Sequence, residues 1–400
     1  MNLLHIIPYY APAWAYGGVV RAVTDLTRAQ AAAGHTVHVL TTDALSPAER
    51  ITAETDLIDG VHVMRVRNRN NWLRGKLNLS TPIRMGTAAQ RLIEQHNIDL
   101  VHCHEVRTVE NLRVTPVAQR LGVPVVVSPH GTLPYGTGRT GIKQVWDRVF
   151  GRRLLVRFDG VIALTANEAA DARAIWSGCG VPLADEQIGL VPNGVHLDDF
   201  AALPDGDPFR AQWQLGEGPV VLFLGRLHQR KGLHLLIPAF AQVVSHAPDA
   251  RLLIVGPDEG MLATLQVQVR EFELAERVVF TGLLTGDDKL AALAVADVFA
   301  LPAVGEGFSM AVLEALACGL PVLLTPGCNF PEVVEAGVGV VVERTVDALR
   351  DALVPLLTDA DRRARMGRLA RGLVAARYTW PQVVAQMDAT YTAITELAGK

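Results

Sequence analysis

The sequence predicts an α/β protein built from two doubly wound, mostly parallel sheets with helices on both faces. Three observations predict it. Short apolar, β-branched runs alternate with helix-like stretches from end to end, which is how a parallel sheet buried on both faces reads. The runs form two successive series, parted by a stretch over 201–218 that is rich in Pro, Gly and Asp and is expected to be a linker. The chain has 400 residues, 50% of them hydrophobic and 20% charged, which is more than one core usually holds and too apolar for a disordered chain.

The first series opens with a strand over 3–7, an apolar run with no basic lead and too short for a signal peptide. A loop of Pro, Gly and aromatic residues then leads to a helix over about 19–33 that Gly34 stops. Strands are predicted over 36–40, 61–66, 100–103, 123–128 and 160–164, each β-branched and bounded by turn residues such as Gly122 and Pro124. The series closes near 188–194 with a strand and the turn at Pro192, Asn193 and Gly194. The second series gives strands over 219–225, 251–256, 277–281, 298–301 and 321–325. Beyond Trp380 and Pro381 an amphipathic stretch over 383–397 reads as a last helix.

Composition narrows the classes. Mean hydropathy is +0.23, yet each apolar run is broken by Asp, Arg, Gly or Pro before about 18 residues, so no membrane-spanning helix is predicted and the chain is expected in the cytoplasm. Residues 1–195 carry 20 Lys+Arg and 16 Asp+Glu, while 196–400 carry 17 and 25. No dense basic face is present, which argues against nucleic acid as a partner, although the more basic first half suits an anionic surface or acceptor. Cys103, Cys179, Cys318 and Cys328 form no C-x-x-C pair and have no His at zinc spacing, so they read as free thiols, and no metal site is expected.

Ligands of open α/β sheets sit at the carboxyl ends of strands, and two such domains are expected to face each other across a cleft. After the strand over 219–225 comes Gly225-Arg226-Leu227-His228-Gln229-Arg230-Lys231-Gly232 and then a helix. Arg226 and Lys231 on a glycine-bounded turn at a helix N-terminus make a cradle for a diphosphate, because free N–H groups and the dipole already favour an anion there. A second loop places Glu306 between Gly305 and Gly307, and Glu314 inside a helix that starts near Phe308 or Ser309 and stops at Gly319. About two helical turns separate the carboxylates by about 10 Å, too far for a dyad but fit to grip two parts of one long ligand. Glu314 lies among Met310, Ala311, Leu313, Ala315 and Leu316, and a carboxylate in so apolar a helix needs a partner.

The run Glu306-x7-Glu314-Ala-Leu-Ala-Cys-Gly-x-Pro, with Gly225-Arg226-Leu227-x3-Lys231-Gly232 upstream, closely resembles the nucleotide-sugar domain of the family-four retaining glycosyltransferases. This is the glycogen-synthase-like branch of the GT-B fold. Val191-Pro192-Asn193-Gly194-Val195 and Gly17-Gly18 extend the resemblance over most of the chain. It implies an acceptor-side domain over 1–195, a donor domain over 196–378, and a C-terminal helix over 379–400 that packs back toward the first domain. It also implies a hexosyltransferase of polysaccharide or glycoconjugate biosynthesis. The donor is a nucleoside diphosphate-sugar, the acceptor a saccharide or lipid-linked hydroxyl, and no cofactor is tightly bound.

Carried over residue by residue, the resemblance implies that Arg226 and Lys231, on the turn opened by Gly225, hold the donor diphosphate and neutralise the leaving charge. Glu314 takes the ribose hydroxyls and Glu306 the donor sugar. Backbone N–H groups at Phe308 and Ser309 add to phosphate binding, and Gly256 and Leu283 border the base. In the first domain His130, in Ser128-Pro129-His130-Gly131-Thr132, meets the donor sugar or its phosphate, and Gly17 and Gly18 allow close approach of the first loop. His102 and His104 share a strand face, but no third metal ligand is identifiable. Where many relatives carry Gly-Gly, this chain has 326–332, Pro-Gly-Cys-Asn-Phe-Pro-Glu, which leaves the sugar open. A basic, aromatic stretch over 143–158 and a second over 65–76 with Trp72 suit peripheral contact with an anionic membrane surface at the inner face. The main rival is an epimerase or hydrolase of the same architecture; an oxidoreductase would need the G-x-G-x-x-G that the first turn lacks.

Overall fold

The computed structural model describes residues 1–70, 79–135 and 140–399. The chain divides into two compact units, Met1–Gly194 with Trp380–Lys400, and Val195–Thr379. The first holds an eight-stranded sheet of β1 (Asn2–Ile6), β2 (Thr36–Thr42), β3 (Thr55–Ile58), β4 (Val61–Val66), β5 (Leu100–His104), β6 (Val125–Ser128), β7 (Gly160–Ala163) and β8 (Ile188–Leu190), in the order β3-β4-β2-β1-β5-β6-β7-β8. All neighbours are parallel except β3, which runs back along β4 through a tight turn at Asp59 and Gly60, both with positive φ. The order reverses between β1 and β5, which is the switch point where such sheets bind ligands.

Alternation along these strands sends successive side chains to opposite faces. Leu4, Ile6, Val101, Cys103, Val125, Val127 and Val161 pack against residues of the helices Met85–His96, Val109–Arg120 and Ala166–Gly178. Leu3, Leu100, Val126 and Ile162 point the other way and meet the C-terminal helix Trp380–Ala398. That helix offers Trp380, Val383, Met387, Tyr391 and Ile394, one stripe at helical spacing. The periodicity of the sequence defines the stripe but not the sheet face it covers.

The second unit holds β9 (Val220–Leu224), β10 (Arg251–Val255), β11 (Val278–Gly282), β12 (Val298–Leu301), β13 (Val322–Leu324) and β14 (Gly339–Val341), in the order β11-β10-β9-β12-β13-β14, all parallel. This is the dinucleotide-fold order, with its switch point between β9 and β12. The stretch expected to be a linker belongs to this unit: Asp207–Gln212 is a helix, and Phe209 and Leu215 are buried in its core. Cys103, Cys318 and Cys328 are buried free thiols, whereas Cys179 is only half-buried. Among the described residues, no helix is long and apolar enough to cross a membrane.

Candidate functional site

The loops that leave β9 and β12 flank the switch point of the second unit, and they carry the motifs read from the sequence. After β9, the turn Gln229–Lys231 is capped by His228, whose Nδ1 accepts from the Arg230 N–H at 3.1 Å, and ended by Gly232 at φ +81. The helix Leu233–Val243 follows. After β12, the loop reaches Glu306 and then Ser309, the N-terminal flank of the helix Met310–Ala317. No side chain caps that helix, so its first N–H groups are open to an anion. The two loops are laced together: Val304 N–H donates to Arg230 O at 2.8 Å, and the Arg230 guanidinium donates to the carbonyls of Val304 and Gly305.

This lacing joins Lys231 to Glu306. The ammonium lies 2.8 Å from one carboxylate oxygen and 2.9 Å from the other, and both side chains are about 15% exposed. The cation expected at the diphosphate and the acid expected at the sugar are therefore each other's partner. Arg226 stands apart, more exposed, paired with Glu259 at 2.7 Å. Glu314 has the partner its apolar helix demands, Lys289 at 3.0 Å, on the helix Gly286–Ala294. Glu259 and Lys289 escape the sequence reading. The available signal was their place just beyond the carboxyl ends of β10 and β11, where Gly256 and Leu283 were noted.

Gly225 and Gly256 bring the ends of β9 and β10 into contact, since Gly225 N–H donates to Val255 O at 2.9 Å and a Cβ on Gly256 would lie 1.9 Å from Gly225 O. Leu283 is exposed at the end of β11. Phe308 packs on Phe330 and Tyr378, so its ring supports the loop. The 326–332 loop also supports it: Glu306 N–H donates to Gly327 O at 2.9 Å, and Asn329 Nδ2 donates to Glu306 O at 2.6 Å. The segment that departs from the family pattern thus holds the backbone of Glu306.

Gly17, Gly18 and His130 belong to the first unit. Gly17 (φ +97, ψ −156) has a conformation reserved for glycine, and a Cβ at either glycine would meet nothing within 4 Å. His130, just past β6, is a histidine in the left-handed region at φ +55, an unfavourable backbone held by its surroundings. Glu168 fixes it from behind, accepting from Gly131 N–H with one carboxylate oxygen and from Leu164 N–H, at 2.7 Å, with the other. His130 Nε2 lies 2.9 Å from His104 Nδ1, and His104 Nε2 lies 2.9 Å from His5 Nδ1.

His5 corrects the sequence reading, in which His102 and His104 had no third companion. Nitrogens of His5, His102 and His104 lie within 4.8 Å of one another, a spacing compatible with a metal. The three are fully buried, and both nitrogens of His102 and of His104 are already in hydrogen bonds, His102 to Tyr391 Oη (2.7 Å) and Ser128 Oγ (2.8 Å). The cluster therefore acts as a polar network in the core, which a metal would have to dismantle. Burial holds His5 down at about 3 and His130 at about 4, and holds His102 and His104 well below their ordinary 6.5. In the unfolded chain these rings take up protons below about 6.5. Stability is therefore fully present above that pH and is lost as pH falls toward 4, by several kcal/mol over the set. Thermal midpoints measured from pH 7.5 to 4.5 are expected to decline across this window.

A second correction concerns the basic segments. Arg65 is buried, donating to Ala11 O and paired with Asp56, and so is no surface cation. Trp72, Arg74 and Lys76 lie outside the described residues.

Comparison with known proteins agrees with both units. Residues 16–199 match the family model "Glycosyltransferase Family 4", and 206–372 match "Glycosyl transferases group 1". A GDP-mannose-dependent alpha-(1-6)-phosphatidylinositol monomannoside mannosyltransferase of Mycolicibacterium smegmatis is 34% identical over 73% of this chain and 75% of its own. A monoacylated-substrate counterpart from Corynebacterium glutamicum is 38% identical, in an alignment spanning about half of each chain (48% and 52%). A GDP-mannose:cellobiosyl-diphosphopolyprenol alpha-mannosyltransferase of Xanthomonas campestris is 24% identical over 98% and 97%. Among solved structures, Anabaena HepE in complex with UDP and glucose superposes with a TM-score of 0.74 at 20% identity, covering 98% of this chain and all of that one. Fold and matches together define a GT-B glycosyltransferase, an enzyme that moves a sugar from a nucleotide-sugar donor. Within that class, the chain belongs to glycosyltransferase family 4.

Proposed function

We propose that this enzyme transfers a mannosyl unit from GDP-mannose, with retention at the anomeric carbon, to a hydroxyl of a lipid-linked acceptor. The observation that carries the reading is the Lys231–Glu306 pair at the switch point between β9 and β12. On donor binding, Lys231 would give up Glu306 for the diphosphate, and Glu306 would turn to the sugar hydroxyls. Arg226 would add a second cation, the open helix N-terminus at Phe308 and Ser309 would add N–H donors, and Glu314 would take the ribose. These groups favour the transition state because the departing diphosphate gains negative charge as the glycosidic bond breaks. The acceptor hydroxyl would attack from the leaving-group face and pass its proton to the donor phosphate. The names of the relatives support the donor and acceptor classes, and family resemblance supports retention. Thermal shift with GDP, UDP and ADP tests the base, because a ligand bound only by the folded chain raises its stability. GDP is expected to give the largest shift, and transfer from GDP-mannose is expected to give an α-linked product by NMR.

We infer peripheral membrane binding through the helical stretch formed by Thr140–Trp146, Asp147–Gly151 and Arg152–Leu155. Ile142, Val145, Val149 and, just beyond it, Val156 are 49–63% exposed at near-helical spacing, beside the exposed Arg148, Arg152 and Arg153. An apolar stripe flanked by arginines suits the headgroup region of an anionic bilayer. The double variant Val145→Glu/Val149→Glu is expected to weaken cosedimentation with phosphatidylglycerol-containing vesicles by about tenfold or more, while leaving transfer to a soluble acceptor analogue unchanged. Equal cosedimentation of the two proteins would refute the assignment.

A further inference from the structure

Glu306 stands between Gly305, at φ +69, and Gly307, and glycines on both sides leave its backbone many conformations to choose from. Its carboxylate is tethered by Lys231, but a cation that turns to a diphosphate lets that tether go. What then keeps Glu306 in place has to come through the main chain. Its N–H and its carbonyl are both engaged by the segment after β13: the Glu306 N–H donates to Gly327 O at 2.9 Å, and the Asn329 side-chain amide donates to Glu306 O at 2.6 Å. That segment is itself fixed to the end of β12. Thr325 Oγ1 donates to Ala303 O at 2.6 Å, and the buried Cys328 Sγ donates to Leu301 O at 3.1 Å. Gly327 packs so closely that a Cβ on it would stand 2.7 Å from both Ala303 O and Val304 Cα. Asn329 ends the turn Pro326–Cys328 in the left-handed region (φ +54, ψ 42), which asparagine tolerates better than most side chains. Glycine would suit that backbone as well, but it has no amide to reach across to Glu306.

We propose that Asn329 is a positioning residue for the transfer: it fixes the main chain of Glu306, so that the carboxylate stays aimed at the donor sugar once Lys231 has turned to the diphosphate. The proposal rests on the reading of Glu306 as the acid that meets the sugar. It gives the 326–332 segment, where this chain departs from the Gly-Gly of many relatives, an action on the sugar that passes through Glu306 and needs no sugar contact of its own. A brace of this kind acts on rate, because a carboxylate that strays by about 1 Å no longer meets its hydroxyl in the geometry the reaction needs.

The test is a double-mutant cycle on the full chain, read as kcat/KM for GDP-mannose, with the Kd for GDP measured by calorimetry on each protein. Asn329→Gly keeps the left-handed backbone and removes only the amide. It is expected to lower kcat/KM by about tenfold while the Kd for GDP stays within about twofold of wild type, because GDP carries no sugar for Glu306 to meet. Asn329→Asp keeps the shape but turns the donor into a second acceptor facing Glu306 O, and its loss is expected to be the larger of the two. In the Glu306→Ala background no carboxylate remains to be aimed, so there Asn329→Gly is expected to cost less than about twofold. An equal loss from Asn329→Gly in both backgrounds would overturn the proposal, as would wild-type kcat/KM in Asn329→Gly. A Kd for GDP that weakens in step with kcat/KM would overturn it too, since the amide would then support the whole site rather than aim one side chain. Full activity in Glu306→Ala alone is the different failure: it would remove the reading of Glu306 as the sugar-binding acid, and the proposal with it.

Discussion

Lys231→Ala is expected to lower kcat/KM for the nucleotide-sugar by about two to three orders of magnitude, the usual loss when a fixed group that stabilises leaving charge is removed. Two effects are mixed in that number, and the ion pair allows them to be separated. Lys231 and Glu306 are each only about 15% exposed and neutralise each other, so either truncation leaves the other charge poorly solvated. A loss of about 1–2 kcal/mol in folding stability is expected from each single variant, between the values for surface and buried pairs. The double variant Lys231→Ala/Glu306→Ala should recover part of that stability, because no lone charge remains, yet recover no activity. Chemical denaturation with steady-state kinetics on the four proteins decides the matter. If the double variant regained activity along with stability, the pair would be structural and the diphosphate would be held elsewhere.

Much of this site was legible because it is written in local patterns. A strand, a glycine-bounded turn with the cations Arg226, Arg230 and Lys231, and a helix occupy consecutive positions from Val220 to Val243, and the chain can fold them in only a few ways. The His5–His104–His130 chain was not legible. His5 is 97 residues from His102, and the two become neighbours only through the parallel register of β1 with β5, which pairs them directly. The same limit hid the partners of Arg226 and Glu314, which arrive from the loop after β10 and from the helix after β11. In the fold, β3 escaped because three of its four residues are exposed and one is Asp56, so it lacks the apolar signature of the other strands. Its turn at Asp59 and Gly60 was the readable clue. β14 is three residues long and begins with a glycine, too short for any period to register. The segment over 201–218 was misread because Pro, Gly and Asp mark both linkers and helix starts, and Phe209 was the sign that it packs.

Gly232→Ala should be among the most damaging single-methyl changes in the donor unit. Gly232 ends the turn that carries Lys231 at φ +81, ψ 12, and a Cβ there would lie 2.1 Å from the carbonyl oxygen of Pro302 at the end of β12. The atom in the way is backbone, and it cannot swing aside as a side chain would. Arg344 donates to the same carbonyl at 2.9 Å and to Gln229 O at 3.3 Å, so the two loops are held against each other where the methyl would enter. The left-handed conformation costs an alanine about 1 kcal/mol and the overpacking about 2 more, giving a loss of about 3 kcal/mol. Relief can come only by parting the loops after β9 and β12, which carries Lys231 away from Glu306. A shift of about 1 Å is enough to cost about 100-fold in rate, so kcat should fall by at least that much in the fraction that remains folded. Thermal denaturation, GDP binding by calorimetry and kcat on the same preparation provide the check. Wild-type stability would mean that the loops separate freely, and the close packing at the switch point would then not be what holds the cation in place.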